Sequence, residues 1–282
     1  MNKIGRNMEY EDCQIIVSVS GGKDSTAMCL NLFEQGYSQK DFLRVFADTG
    51  WEDKSTIDYL NYLEKTIGKI LRIKANIEIN PEYEQSIKTI ENLLGFESPM
   101  IRQIYKYKFM SNPFNKWCTR ILKINPFIDF FKSLDTEPVN LVGIRKEESP
   151  RRAKMKEWEF NQNFDCWTHR PLINWTEKQV IEIHKRFNLI PNKLYLNGWD
   201  RVGCYPCIFS KKEEIKKISE ERIKIIEILE NDLNASFFKP KDDNTARIRD
   251  IVRWSKTKHG GKQFLLFDIE KPTCEKWGLC GL

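Results

Sequence analysis

The chain lacks any apolar run approaching the ~18 residues that a membrane-spanning helix requires, which excludes a helical membrane protein and a membrane partner. It also lacks an apolar core near its start. Met1 to Asp12 mixes Lys3, Arg6, Glu9, Glu11 and Asp12, which is not the pattern of a secretory signal, so an uncleaved cytoplasmic chain is expected. There is no internal repeat and no low-complexity tract, so nothing demands a second full domain. A strong excess of one charge is missing too: 46 Lys+Arg stand against 40 Asp+Glu, and the net +6 reads as a solvated surface before it reads as a polyanion tract.

What is present is enough for a sizeable core. Of 282 residues, 40% are hydrophobic and 12% aromatic, although a 30% charged fraction lowers the mean hydropathy to −0.55. One large domain, or one with an appendage, is the expectation. Eight unevenly spaced cysteines include a C-x-x-C pair. In a reducing compartment such a set points to metal or redox chemistry, not to structural staples.

The first half reads as strand-helix alternation. Gln14 to Ser20 is a short β-branched run ending at a Gly-Gly turn, and a helix follows from Asp24 or Ser25 to Phe33, closing near Gly36. Leu43 to Ala47, Ile70 to Ile73 and Val139 to Val142 are further strands, and Ser55 is placed to cap a helix that ends at Gly68. This alternation predicts an α/β fold: a parallel sheet with helices on both faces. Residues 1–175 are expected to form a nucleotide-binding α/β domain with a helical insert near 81–133. Residues 176–282 are expected to form a helical, cysteine-bearing region packed on it, with helices from Thr176 to Phe187 and from Lys211 to Leu233. Glu147 to Asn163 reads as a mobile polar loop and the tail from Lys239 as irregular.

Ser20-Gly21-Gly22-Lys23-Asp24-Ser25 lies between the first strand and helix, where backbone amides and the positive end of a helix dipole meet anions. Glycine lets the chain approach a phosphate closely, Ser20 and Ser25 add hydroxyls, and Lys23 adds charge. Asp24 would repel a bare phosphate, so its presence suggests a magnesium-bound polyphosphate. A tight turn with an ordinary helix cap is the structural alternative. The spacing is not that of a Walker A loop.

The loop resembles the SGGxDS pyrophosphate loop of the adenine-nucleotide α-hydrolases, and Asp48-Thr49-Gly50 matches a family position near the adenosine. Later segments resemble the phosphoadenosine phosphosulfate (PAPS) reductase family within that superfamily. They are Gly143-Ile144-Arg145 through Glu148-Ser149 to Arg152, then Arg170-Pro171-Leu172 to Trp175, Ile190-Pro191-Asn192 to Tyr195, and Gly203-Cys204-Tyr205-Pro206-Cys207, in the family's order. The resemblance implies binding of an adenine nucleotide, ATP or PAPS, by Ser20, Gly21, Gly22, Lys23, Asp24, Ser25, Asp48, Thr49 and Gly143. Mg2+ would sit at Asp24, and Arg145 and Arg152 would clamp the reacting anion.

By the same resemblance, Cys118, Cys204 and Cys207 are ligands of a [4Fe–4S] cluster; for Cys204 and Cys207 a structural zinc site or a reducible disulfide is the alternative, and spacing alone does not separate iron–sulfur from zinc. Trp117 stands where iron–sulfur reductases have the first of two adjacent cysteines. Cys274 is a candidate fourth ligand. Cys280 is a candidate ligand or mobile redox nucleophile, although Leu279 replaces the reductases' Glu and no His follows. Cys13, Cys29 and Cys166 read as bystanders.

Three functions follow. The first cleaves ATP to AMP and pyrophosphate, activating an acceptor for sulfur transfer; the second reduces PAPS or adenylylsulfate and releases sulfite; the third is a non-catalytic nucleotide-binding module. The intact Lys23-Asp24 pair places the first ahead, because a sulfonucleotide has no β,γ-pyrophosphate to hold. A thioredoxin-like or sulfur-donor protein and a nucleic acid acceptor are the partners considered.

Overall fold

The computed structural model describes residue 10 and residues 13–239, 247–258 and 276–277. Six strands form one sheet: β1 (Gln14–Ser18), β2 (Phe42–Asp48), β3 (Ile70–Lys74), β4 (Pro138–Val142), β5 (Trp158–Asn161) and β6 (Cys166–His169). Their order is β3-β2-β1-β4-β6-β5, parallel throughout except for the antiparallel β5 edge. The fold class matches the expectation. In the central strand Ile16 and Val17 are fully buried, as a strand covered on both faces by helices requires.

Two further strands extend the sheet, β5 within the segment read as a mobile loop and β6 just after it. That segment is ordered by local pairing. Ser149 caps the short α7 (Pro150–Ala153), Arg152 pairs with Glu148, and Trp158 on β5 stacks on His169 of β6 at 4.0 Å and 8°. Polarity concealed these elements because β5 is an edge strand whose Glu159 and Phe160 face solvent.

Helices α1 (Lys23–Glu34) and α2 (Lys54–Ile67) follow the first two strands, as expected, but α2 is capped by Asp53 and not by Ser55. The amide of Ser55 donates to Asp53 at 2.8 Å, because a cap carboxylate bonds the second residue of the first turn. The insert is helical: α3 (Glu84–Leu94), α4 (Pro99–Tyr107), and α5 (Trp117–Thr119) running through a π-turn into α6 (Asn125–Lys132).

Further along come α8 (Glu177–Arg186), α9 (Lys193–Leu196), α10 (Lys212–Ile215), α11 (Glu220–Leu233) and α12 (Ile248–Ser255). The long helix expected over Lys211 to Leu233 is two helices. Ser219 accepts the amide of Arg222 and restarts the chain with Glu220 and Glu221 at the positive end. The tail read as irregular contains α12, where Ile248, Ile251, Val252 and Ser255 form a buried stripe.

One apolar core joins β1, β2 and β4 to α1, α2 and α8, and another joins the insert helices to α11 and α12; a smaller one packs Ile16 and Val45 against Phe127 and Phe131 of α6. Val180 and Ile183 of α8 lie in the sheet core, so the apolar interior continues across residue 175. Among the described residues no helix is long and apolar enough to cross a membrane.

Candidate active site

The order β2-β1-β4 puts a topological switch between β1 and β4. The chain leaves β1 toward one side of the sheet and returns on the other. The loops after these two strands therefore face each other at the carboxyl edge, where open α/β sheets bind ligands. A cleft of about 480 Å³ opens there, lined by Ser20, Gly22, Lys23, Asp24 and Ser25 from one loop and by Gly143, Arg145, Glu147 and Glu148 from the other.

Gly21, at φ +71°, turns the chain out of β1 and packs against Thr56 and Leu60 without lining the cleft. The loop is braced from within: Ser25 Oγ donates to the Gly22 carbonyl at 3.1 Å and accepts from the Ser20 amide at 3.1 Å. Gly22 is the N-cap of α1 and provides no side-chain cap. No side chain of the cap residue therefore takes the amides of the first turn. The Lys23 amide donates to the Tyr195 hydroxyl at 3.0 Å. Burial raises the Tyr195 phenol well above its ordinary value, so it keeps its own proton to donate.

Lys23 is 8% exposed, with Nζ 3.4 Å from Glu177, 3.3 Å from the Asp200 carbonyl and 4.8 Å above the Tyr195 ring. Glu177 is shared with Lys276 at 2.9 Å. Burial acts to raise its pKa, but the hydrogen bond from Lys276 and the charge of Lys23 outweigh that and hold it below the usual carboxylate value.

Arg145 is 3% exposed and donates to both Asp24 and Glu147; its amide donates to Glu148 at 2.8 Å. Burial opposes its charge, yet Asp24 and the two glutamates keep its pKa above the ordinary value. Arg152 pairs with Glu148. Both arginines thus reach the cleft as members of ion pairs. Gly143 is there because nothing larger fits: a Cβ would meet the Asp24 carbonyl carbon and oxygen at 2.7 Å.

Asp48 and Thr49 are not in this cleft. Asp48 accepts the Gly50 amide at 2.8 Å and faces Lys74 at 3.8 Å, while Thr49 donates to Glu52 at 2.7 Å and lies 4.0 Å from Cys204 Sγ. Thr49 thus lies beside a cysteine of the C-x-x-C pair. An antiparallel bridge between Glu52 and Cys204, the Tyr205 amide on the Trp51 carbonyl (2.8 Å) and the Trp51 indole on the Pro206 carbonyl (3.0 Å) fasten the C-x-x-C loop to the end of β2.

Cys204, Cys207 and Cys118 all act electrostatically on Lys123, raising its pKa; Cys204 has the largest effect. Burial pushes the Cys204 thiol to about 11 and also raises Cys207. Ser111 donates to Cys118 Sγ at 3.1 Å. Among the described residues no group of three or more His, Cys, Asp or Glu side chains stands in a metal-holding arrangement. By their chemistry alone, thiol side chains are the donors that an iron–sulfur cluster or zinc takes. Cys274 and Cys280 lie outside the described residues. Cys29, fully buried with a thiol pushed to about 12, and Cys166, raised to about 11, are core thiols.

Sequence reasoning missed Glu177, Asp200, Arg201, Lys211 and Lys276 as residues of the cleft. They arrive from α8 and from the chain beyond α9, far from the glycine loop in sequence. Tyr195, inside a quoted motif, was the available signal.

The family model for the phosphoadenosine phosphosulfate reductase domain matches residues 14–210. The chain is 33% identical over 235 residues to an uncharacterised 37.8 kDa protein of Escherichia phage 186, covering 72% of this chain and 69% of that protein. It is 37% identical over 90 residues to an adenosine 5′-phosphosulfate reductase of Oceanobacillus iheyensis, which is 32% of this chain and 36% of the reductase. The chain thus spans about a third of that relative's length. Among solved structures, the phosphate complex of a PAPS reductase from Candida auris shares the fold, with a TM-score of 0.50 over 69% of this chain and 82% of that chain at 15% identity. With the family model matching residues 14–210 and the sheet switch carrying its glycine loop, the chain belongs to the phosphoadenosine phosphosulfate reductase domain family.

Proposed function

We propose that the protein cleaves ATP to AMP and pyrophosphate, activating an acceptor that then receives sulfur. The observation that carries this reading is the polyphosphate cradle: an α1 N-terminus whose cap residue, Gly22, has no side chain, with the Lys23 ammonium and the Tyr195 hydroxyl in one cleft. A sulfonucleotide reductase would leave much of that cradle unused.

In this reading the α1 amides and Lys23 take the β and γ phosphates, with Lys23 exchanging Glu177 for phosphate oxygens. Six cations and five carboxylates line the cleft, so a bare polyphosphate would meet nearly as much repulsion as attraction. Magnesium carried in with ATP corrects this. Asp24 suits that ion: Arg145 engages its Oδ1 and leaves Oδ2 without a protein partner among the described residues. An acceptor oxygen attacks the α phosphorus and pyrophosphate leaves. Arg152 and Arg201 at the cleft offset the charge developing on the α phosphate. A [4Fe–4S] cluster on Cys118, Cys204 and Cys207 would supply iron able to carry the sulfur that displaces AMP. Thr49 and Glu52 hold the Cys204 loop at the same sheet edge.

The second reading, reduction of PAPS or adenylylsulfate to sulfite, is favoured by the similarity to adenosine 5′-phosphosulfate reductase over 90 residues. Lys23→Ala separates the two. Under ATP cleavage it abolishes magnesium-dependent ATP consumption while circular dichroism stays unchanged; undiminished consumption refutes the role of Lys23.

A further inference from the structure

A second cleft, of about 670 Å³, lies beside Cys118, away from the glycine loop, and within the roughly 300–1,000 Å³ of ordinary ligand sites. Its walls are aromatic. The rings of Tyr107 and Phe109 lie parallel at 5.7 Å and 7°, and both stand edge-on to Trp117 at 87°. Phe114, at the tip of the loop between α4 and α5, is 91% exposed, and Tyr107 is 42% exposed. A phenylalanine so exposed packs on almost nothing of its own chain, and next to a second exposed ring it marks an interaction site.

The charge of the cleft has one sign. Lys116 and Arg120 line it, no carboxylate does, and neither cation has a carboxylate partner among the described residues. Lys116 lies 5.1 Å over the ring of Phe209, which is two residues beyond Cys207. The indole N–H of Trp117 is buried and has no acceptor among the described residues.

Exposed aromatic rings beside cations that have no carboxylate partner suit a ligand with flat bases and anionic linkages. An acidic peptide would answer the cations but leave the ring faces unused. We propose that the cleft of Tyr107, Phe109, Phe114, Lys116, Trp117 and Arg120 docks single-stranded nucleic acid, with bases stacking on the rings and phosphates on the two cations. The surface is continuous with both thiol-bearing segments, through Trp117-Cys118 and Cys207-Ile208-Phe209. That this strand is the sulfur acceptor rests on the function proposed above; the docking itself does not.

The test is fluorescence anisotropy of labelled single-stranded DNA and RNA of about 12 nucleotides, with the full chain and no ATP. One or both strands should bind, with affinity falling as salt rises from about 50 to about 200 mM. Phe114→Ala and Tyr107→Ala should each weaken binding by about tenfold, a typical loss for one stacked base. Arg120→Gln should flatten the salt dependence. Absence of binding by both strands, parental affinity in both aromatic variants, or displacement of the strand by polyglutamate as readily as by unlabelled strand overturns the proposal. ATP cleavage is measured on the parent and the same variants, with and without the strand. Should the parent bind strand through its aromatic residues yet leave ATP intact, the docking surface stands and the ATP reading falls.

Discussion

Gly143→Ala adds one methyl group at the point where the β4 loop crosses the first turn of α1. The new Cβ would lie 2.7 Å from the carbonyl carbon and oxygen of Asp24 and 2.8 Å from the amide nitrogen of Ser25, whereas ordinary contact begins near 3.4 Å. All three atoms are backbone, so no side chain can swing away. Either the β4 loop or the glycine loop must retreat by about 0.7 Å. Overpacking of this kind costs about 1–3 kcal/mol of stability. The larger effect falls on function, because the displaced atoms carry the Asp24 carboxylate and adjoin the amides that cradle phosphate. A misplacement near 1 Å costs on the order of 100-fold in rate. Steady-state kinetics of nucleotide turnover, with thermal melts alongside, should show kcat/KM down about 100-fold and a melting point lower by only a few degrees. Turnover equal to the parent's in a folded Gly143→Ala protein would refute the close crossing and the role given to the loop.

Three further perturbations test separate parts of the account. Glu177 competes with phosphate for Lys23 and Lys276, so Glu177→Gln should lower KM for magnesium ATP roughly threefold to fivefold, corresponding to about 1 kcal/mol; an unchanged or raised KM contradicts the competition. His184, 1% exposed, has its pKa lowered by burial from 6.5 to about 4. The unfolded imidazole takes up its proton first as pH falls, so its contribution to stability is full above about pH 6.5 and declines by about 3 kcal/mol toward pH 4. Urea midpoints across this range should show that slope in the parent and lose it in His184→Leu. Purified without oxygen, the protein should be brown and contain iron and acid-labile sulfide, both lost in Cys204→Ser; colourless, iron-free parent protein removes the cluster.

The glycine loop, the first four strands and their helices were legible because short β-branched runs and helix stop signals are local. The edge strand β5 was not, because Glu159 and Phe160 face solvent and only pairing with β6 makes the segment a strand. Nor was the break before Ser219, where a single hydroxyl outweighs a continuing apolar pattern. At the site, Lys23 and Gly143 could be read from their motifs, and their mutual arrangement could not. Arg145 reads as a free clamp in sequence and is a buried partner of Asp24 and Glu147 in the fold. Glu177 and Lys276 carry no local signal at all. They matter only because α8 packs on α1 and brings the chain back over the phosphate loop.

Phosphorus NMR of the products formed with magnesium and ATP, run beside a sulfite assay with PAPS, tests the central claim most directly. With no acceptor present water takes its place at the α phosphorus, and the account predicts AMP and pyrophosphate in equal amounts, no orthophosphate and no sulfite. Intact ATP together with sulfite released from PAPS would contradict it.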